Sequence, residues 1–305
     1  MNDYERASTI TSPVDPNEAF KRRMETAYTD DYLRIMGIEH YRQGYFTPDL
    51  APDDLPGALE RHVEVLLDPL GLGPQHTILE LGCNMGATTV QITRRYGCTV
   101  HAIDIVPNMA RAAAERVRTE RLDDRAFVSQ MDAQQLQFPD QTFDYVIGIE
   151  VVNHLTDKTA CLREIARVLK PGGQLVLAEY LLSPRAPRLG ARLVQMILES
   201  ERLEDAEHYQ SYLAAVGLAP AQITDHSLQT VIATTRAFRS ERYRNRARAY
   251  CVAYFGVVFA LVMPALFRLW ERMFARGHAR YVFLYSRRPD QAPPAPTTDA
   301  GAPRG

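Results

Sequence analysis

The sequence predicts an α/β fold in which a mostly parallel sheet carries helices on both faces. Three observations lead there. Between about residues 60 and 180, short apolar runs alternate with amphipathic stretches of helical length, and parallel neighbours require such crossovers. The first apolar run, Thr77 to Leu81, leads straight into a glycine-spaced turn, Gly82-Cys83-Asn84-Met85-Gly86. Acidic residues then recur at or just after strand ends, as Glu80, Asp104, Asp132 and Glu150. One crevice beyond the strand C-termini can collect them.

The elements follow in order. Thr77 to Leu81 is β-branched and aliphatic, suited to a buried strand, and a helix from about Ala87 to Tyr96 follows the turn. Cys98 to Ile103 is a second strand ending at Asp104-Ile105, and Ala126 to Gln130 a third ending at Met131-Asp132-Ala133. Phe143 to Gly148 is a fourth. An amphipathic helix from Lys158 to Leu169 stops at Lys170-Pro171-Gly172-Gly173 before the strand Gln174 to Ala178. His208 to Val216 reads as a further helix, Ala221 to Asp225 as a strand, and Tyr281 to Tyr285 as the last strand.

A dinucleotide fingerprint, G-x-G-x-x-G, would set a pyrophosphate over the helix N-terminus. Here the acid precedes the glycines, as Glu80-x-Gly82-x-Asn84-x-Gly86. This resembles the E/D-x-G-x-G-x-G signature of class I S-adenosylmethionine (SAM) dependent methyltransferases. Asn84 stands where that pattern has its middle glycine, and Asn tolerates the left-handed conformation. The resemblance covers roughly residues 60 to 228 and the final strand. It implies a Rossmann-like seven-stranded sheet whose last strand runs antiparallel between its neighbours. It also implies SAM as cofactor and S-adenosylhomocysteine as product. Glu80, Gly82, Asn84 and Gly86 would then bind the cofactor. Asp104-Ile105 would hold the ribose and Asp132-Ala133 the adenine.

Composition suits a soluble enzyme. The net charge of −2 gives no general affinity for nucleic acid, and the chain lacks the Asn/Asp-Pro-Pro-aromatic motif of amino-methylating DNA enzymes. Four cysteines have no metal or disulfide-framework spacing, and no apolar leader opens the chain, so a cytoplasmic protein without a metal is expected. The ends, residues 1–15 and the Pro/Ala-rich 289–305, are expected to be disordered.

Two parts flank the expected core of residues 58–228 and 280–288. Residues 16–57 resemble the N-terminal lid of tocopherol-type C-methyltransferases and cyclopropane-type synthases, in which a tyrosine reaches the methionine carboxylate of SAM. Tyr41 best matches that position. The alternative is that Tyr41, Tyr45 and Phe46 pack a helix onto the sheet. Residues 229–279 form a helical insert in which arginines flank an uncharged run from Ala249 to Phe267. The run is long enough to span a membrane. However, Gly256 and Pro264 interrupt it, and both flanks return to one sheet, so a span is not expected. A buried cap, a peripheral membrane contact through 249–267, and an acceptor pocket with a basic rim remain open.

Methyl transfer asks mainly for alignment, and positioning can supply about 7–11 kcal/mol. A base is required where the acceptor loses a proton, and His154 and Glu150, just after the fourth strand, are the candidates. Each could instead serve packing or the backbone. An alkene acceptor would call on aromatic faces, for which Tyr41, Tyr45, Tyr250, Tyr254 and Phe255 are available. The expected function is transfer of methyl to a hydrophobic small molecule at carbon, oxygen or nitrogen. The alternatives are a cyclase or rearrangement enzyme that keeps its methyl, and a SAM-binding module without catalysis.

Overall fold

The computed structural model describes residues 28–40, 42–198, 200 and 202–290. Tyr41 lies outside them, as do the two chain ends apart from Pro289 and Asp290, and the side chains of Tyr254 and Phe255 are likewise not described.

Seven strands form one sheet: β1 (Thr77–Leu81), β2 (Thr99–Asp104), β3 (Ala126–Gln130), β4 (Phe143–Ile149), β5 (Leu169–Leu182), β6 (Gln222–Asp225) and β7 (Ala279–Arg287). Their spatial order is β3-β2-β1-β4-β5-β7-β6. The first five run parallel, while β7 lies antiparallel between β5 and β6. The order reverses between β1 and β4, and a ligand crevice belongs outside the strand ends at that point.

Period-two alternation divides the strands between two core layers, except that an irregularity in the β4–β5 pairing between Phe143 and Tyr145 sends these two residues to opposite layers. Ile78, Tyr145 and Ile147 enter one, while Leu79, Leu81, Phe143 and Val146 enter the other. All but Tyr145 are at most 1% exposed, and each such aliphatic or aromatic side chain contributes about 1.5–3 kcal/mol.

The described helices are α1 (Tyr28–Met36), α2 (Leu55–Leu67), α3 (Ala87–Tyr96), α4 (Pro107–Thr119), α5 (Lys158–Val168), α6 (Arg188–Ile197), α7 (Ala206–Ala215), α8 (Ala233–Phe238) and α9 (Glu241–Ala275). Local chemistry sets their ends. Asp54, Asp157 and Asp205 accept the N–H of Gly57, Ala160 and His208 as N-caps, and Gly97 closes α3 in the left-handed conformation.

Two expected boundaries move. α2 begins at Leu55, so the division at 57/58 cuts through a helix that Pro56 and the Asp54 cap start earlier. The strand expected at Gln174 to Ala178 extends from Leu169 to Leu182, because Leu169 already pairs with Phe143 before the Lys170–Gly173 turn shifts the register. Lys170 ties that turn down by donating to both Asp144 carboxylate oxygens at 2.9 Å.

α9 is two limbs, not one rod. Gly256 breaks it with φ 83° and ψ 167°. The sulfurs of Cys251 and Met263 then meet at 3.2 Å, whereas a straight helix would hold twelve residues about 18 Å apart. Among the described residues, no helix is long and apolar enough to cross a membrane.

Candidate active site

β1 ends at Leu81, and the turn reverses through Gly82 (φ 64°), Asn84 (φ 50°) and Gly86 (φ 78°), all left-handed. Asn84 therefore adopts the conformation a glycine would supply. Its Oδ1 accepts the Met85 N–H at 2.8 Å, and its own N–H donates to Asp104 Oδ2 at 2.8 Å. Asp104 Oδ1 accepts the Val106 N–H at 2.9 Å. One carboxylate thus fastens the turn to the end of β2 and the start of α4. Burial pushes its pKa up while the two N–H bonds oppose the shift.

The glycines are demanded by packing as well as by φ. A Cβ on Gly82 would stand 2.5 Å from Val151, and one on Gly86 would stand 2.9 Å from the Ala113 backbone. We expect Gly86→Ala to cost about 1–3 kcal/mol of stability, from the strained conformation and the immovable backbone. Urea denaturation measures it; an unchanged midpoint would contradict the geometry.

A cleft opens between Glu39, His40 and Arg42 on one side and Gly82, Asn84 and Thr88 on the other. Arg42 donates to Thr88 Oγ1, and to the Leu59 carbonyl at 2.8 Å. Its buried Nε, like the buried Nδ1 of His40, has no hydrogen-bond partner among the described residues. Burial lowers Arg42 to about 10, offset by nearby Tyr281, Glu150 and Glu80, so it stays cationic at neutral pH. Burial, then the charges of Arg42 and Arg116, hold His40 well below its ordinary value and neutral.

Two acids back this arginine. Glu80, 4% exposed, accepts the Thr89 hydroxyl at 2.6 Å, and burial raises it to about 7. Glu150, with φ 57°, accepts the Gln43 N–H and the Tyr281 hydroxyl, both at 2.9 Å, and burial raises it to about 7 as well. His62 Nδ1 donates to the Gln43 carbonyl at 2.6 Å, and burial lowers that ring to about 3. Gln43 is thereby pinned through both backbone groups. Behind Glu150, fully buried Glu179 accepts the N–H groups of Val151, Val152 and Asn153 and fixes the turn that follows β4.

The expected residues fall into separate places. Glu80, Gly82 and Asn84 line the cleft, and Asp104 ties its turn. Glu150 is coupled to the irregular segment before α2 through Gln43. Ile105 is partly exposed, Ala133 is buried, and Asp132 accepts from Gln134. His154 is not brought to the cleft. It lines a second hollow of about 160 Å³ with Asp157, Arg202, Glu204 and Tyr212, and the two share no lining residue. The one-turn helix Val152–His154 carries its side chain off that way. Sequence reasoning missed Arg42 and Tyr281. The charge beside Tyr41 was a signal for the first; nothing local marks the second, 131 residues from Glu150.

Comparison with known proteins agrees with this arrangement. Residues 79–177 match the model of a methyltransferase domain family. The methyltransferase GfsG of Streptomyces halstedii is 32% identical over 218 residues, covering 70% of this chain and 78% of that protein. The 27-O-demethylrifamycin SV methyltransferase of Amycolatopsis mediterranei is 28% identical over 92% of this chain and 100% of its own length. Geranyl diphosphate C-methyltransferase of Streptomyces coelicolor A3(2) shares the fold, with a TM-score of 0.72 at 19% identity over 91% of this chain and 99% of that one. The residues present fit SAM. Arg42 Nε is an orphaned buried donor of the kind a carboxylate satisfies, and an acid stands at the end of β2 as a ribose requires. Sequence, sheet order and cleft place the chain in the class I SAM-dependent methyltransferase family.

Proposed function

We propose that this enzyme methylates a hydrophobic small molecule of polyketide or isoprenoid type, at carbon, oxygen or nitrogen. The observation that carries the reading is Glu150, a raised-pKa acid held at the end of a buried aromatic chain that starts in the helical insert. Trp270 and Phe274 of α9 meet at 4.9 Å between centroids, Phe274 lies 6.1 Å from Tyr180, and Tyr180 lies 4.8 Å from Tyr281, whose hydroxyl touches Glu150. These four rings are at most 5% exposed and pack together as core, so they fix the position of Glu150, an acid whose raised pKa, about 7, suits proton removal from an acceptor at neutral pH. The 27-O-demethylrifamycin SV methyltransferase and the geranyl diphosphate C-methyltransferase, by their names, support a small-molecule acceptor of this class.

When bound, SAM supplies a methyl group already activated by its sulfonium. Arg42 and His40 would hold its carboxylate, Asp104 and Ile105 its ribose, and Asp132 and Ala133 its adenine, while Glu80, Gly82, Asn84 and Gly86 shape the bed. In this reading residues 28–54, up to the start of α2, act as the lid and 229–279 as the cap. The arginines gather on that insert and not along an extended groove, which argues for a small acceptor over nucleic acid. Four buried, free cysteines support a reducing cytoplasm.

Incubation with SAM and a panel of apolar polyketide and isoprenoid acceptors, read by mass spectrometry, tests this. We expect S-adenosylhomocysteine in step with a product one methylene heavier. A product of unchanged mass with no S-adenosylhomocysteine would instead establish the cyclase alternative.

A further inference from the structure

α9 is anchored at its base and bare at its tip. On the first limb Tyr243 is buried, Tyr250 stacks edge-on against Tyr32 at 5.1 Å, and Arg246 donates to the Met36 carbonyl at 2.9 Å. On the second, Met273 packs over Gly190 of α6. Between these anchors the limbs turn at Gly256, where an added methyl group would meet nothing within 4 Å. There Val257, Val258, Leu261 and Val262 are 58, 77, 65 and 46% exposed, with Val252 beside them at 40%. Isolated exposed apolar residues are ordinary, but five on one hairpin tip, with no charge from Ala249 to Phe267, form a patch that asks for a partner.

The surrounding charge says which partner. Seven arginines and two glutamates fall within residues 241–276 of a chain whose net charge is −2. One of those glutamates, Glu271, is already bound by Arg236 and Arg239. Exposed Arg244 and Arg248 sit below the tip on one limb, and Arg268 and Arg272 on the other. We infer that the hairpin tip docks on an anionic lipid bilayer, its valines and leucine below the headgroups and its arginines against the lipid phosphates.

The dimensions decide for dipping over spanning. From Gly256 back to Arg248 is about 12 Å of helix, and forward to Arg268 about 18 Å. A hydrocarbon core is about 30 Å thick, so the uncharged tip cannot cross it. Docking is independent of methylation, because it is measured without substrate. It has one consequence for the chemistry: an apolar acceptor would concentrate on the surface where the enzyme sits.

Co-sedimentation of the full chain with phosphatidylcholine vesicles, with and without phosphatidylglycerol, tests it. We expect retention on the anionic vesicles at about 0.1 M salt that falls at about 1 M as the screening length shortens. Val258→Asp with Leu261→Asp should weaken partitioning at least tenfold, and Arg248→Gln or Arg268→Gln about fivefold each. All four positions are exposed, so thermal midpoints should hold. Equal behaviour of wild type and the double aspartate variant, or no retention on anionic vesicles, overturns the inference. So does a dimer on size exclusion that Val258→Asp dissociates without any vesicle binding, which would assign the patch to a second copy of the chain.

Discussion

Asp104→Ala is expected to weaken SAM binding at least a hundredfold, a loss of about 2.7 kcal/mol, while leaving a folded protein. The carboxylate has two duties. It accepts the N–H of Asn84 and of Val106, so its removal orphans two backbone donors at the cofactor turn. In the proposed reading it would also supply the acceptor that the two ribose hydroxyls need. Charge-assisted hydrogen bonds contribute about 1.5–3 kcal/mol each, so losing the ribose contacts alone reaches the stated magnitude. Calorimetric titration with SAM measures it, with the thermal midpoint of the free protein as control. Asp104→Asn keeps an acceptor oxygen for one backbone N–H and should fall between the two. If the alanine variant binds SAM as wild type does, the end of β2 is not the ribose site.

The sheet was legible because each strand advertises itself locally. Thr77–Leu81 emerges with the expected bounds, since a buried apolar run flanked by turn residues has few alternatives, and Ala126–Gln130 does so too although only Ala126 is buried on this edge strand. Asn84 was legible too, for its left-handed conformation is a property of one residue. The antiparallel placement of β7 came from resemblance alone, because pairing partners are not encoded in a strand's own residues. The site was less legible. His154 and Glu150 are four residues apart in sequence, yet the Val152–His154 turn sends them to different places. Glu150 instead finds Tyr281 and Gln43, contacts made only when the last strand and the segment before α2 meet. The break in α9 could be suspected from Gly256, but the direction of the second limb depends on Met263 meeting Cys251.

Arg42→Met should destabilise the free protein by an amount that grows with pH, about 1–2 kcal/mol at pH 5 and about 3–5 kcal/mol at pH 8. The sign follows from two acids. Burial raises Glu80 and Glu150 from 4.5 to about 7, so each is protonated in the folded protein at pH 5 and ionised by pH 8. A group raised in this way contributes stability that is complete below its unfolded pKa and is lost as pH climbs through the folded one. In wild type, Arg42 offsets that loss because its charge favours both carboxylates. Without it, two buried anions stand without their cation at high pH, while at low pH the cost is little more than the bonds to Thr88 and the Leu59 carbonyl. His62 and His40 act in the same sense: Arg42 helps hold both rings below their ordinary values, so its removal relieves them on the acid side and narrows the gap there. Thermal denaturation of both proteins from pH 5 to pH 8 gives the difference directly, and a gap constant across that range would sink the argument. Arg42→Lys separates charge from shape. It should restore most of the pH profile, because a cation is back between the acids. It should not restore SAM affinity, because an ammonium cannot reproduce the planar fork that reaches Thr88 and Leu59 together and that, in the proposed reading, would also hold the cofactor carboxylate.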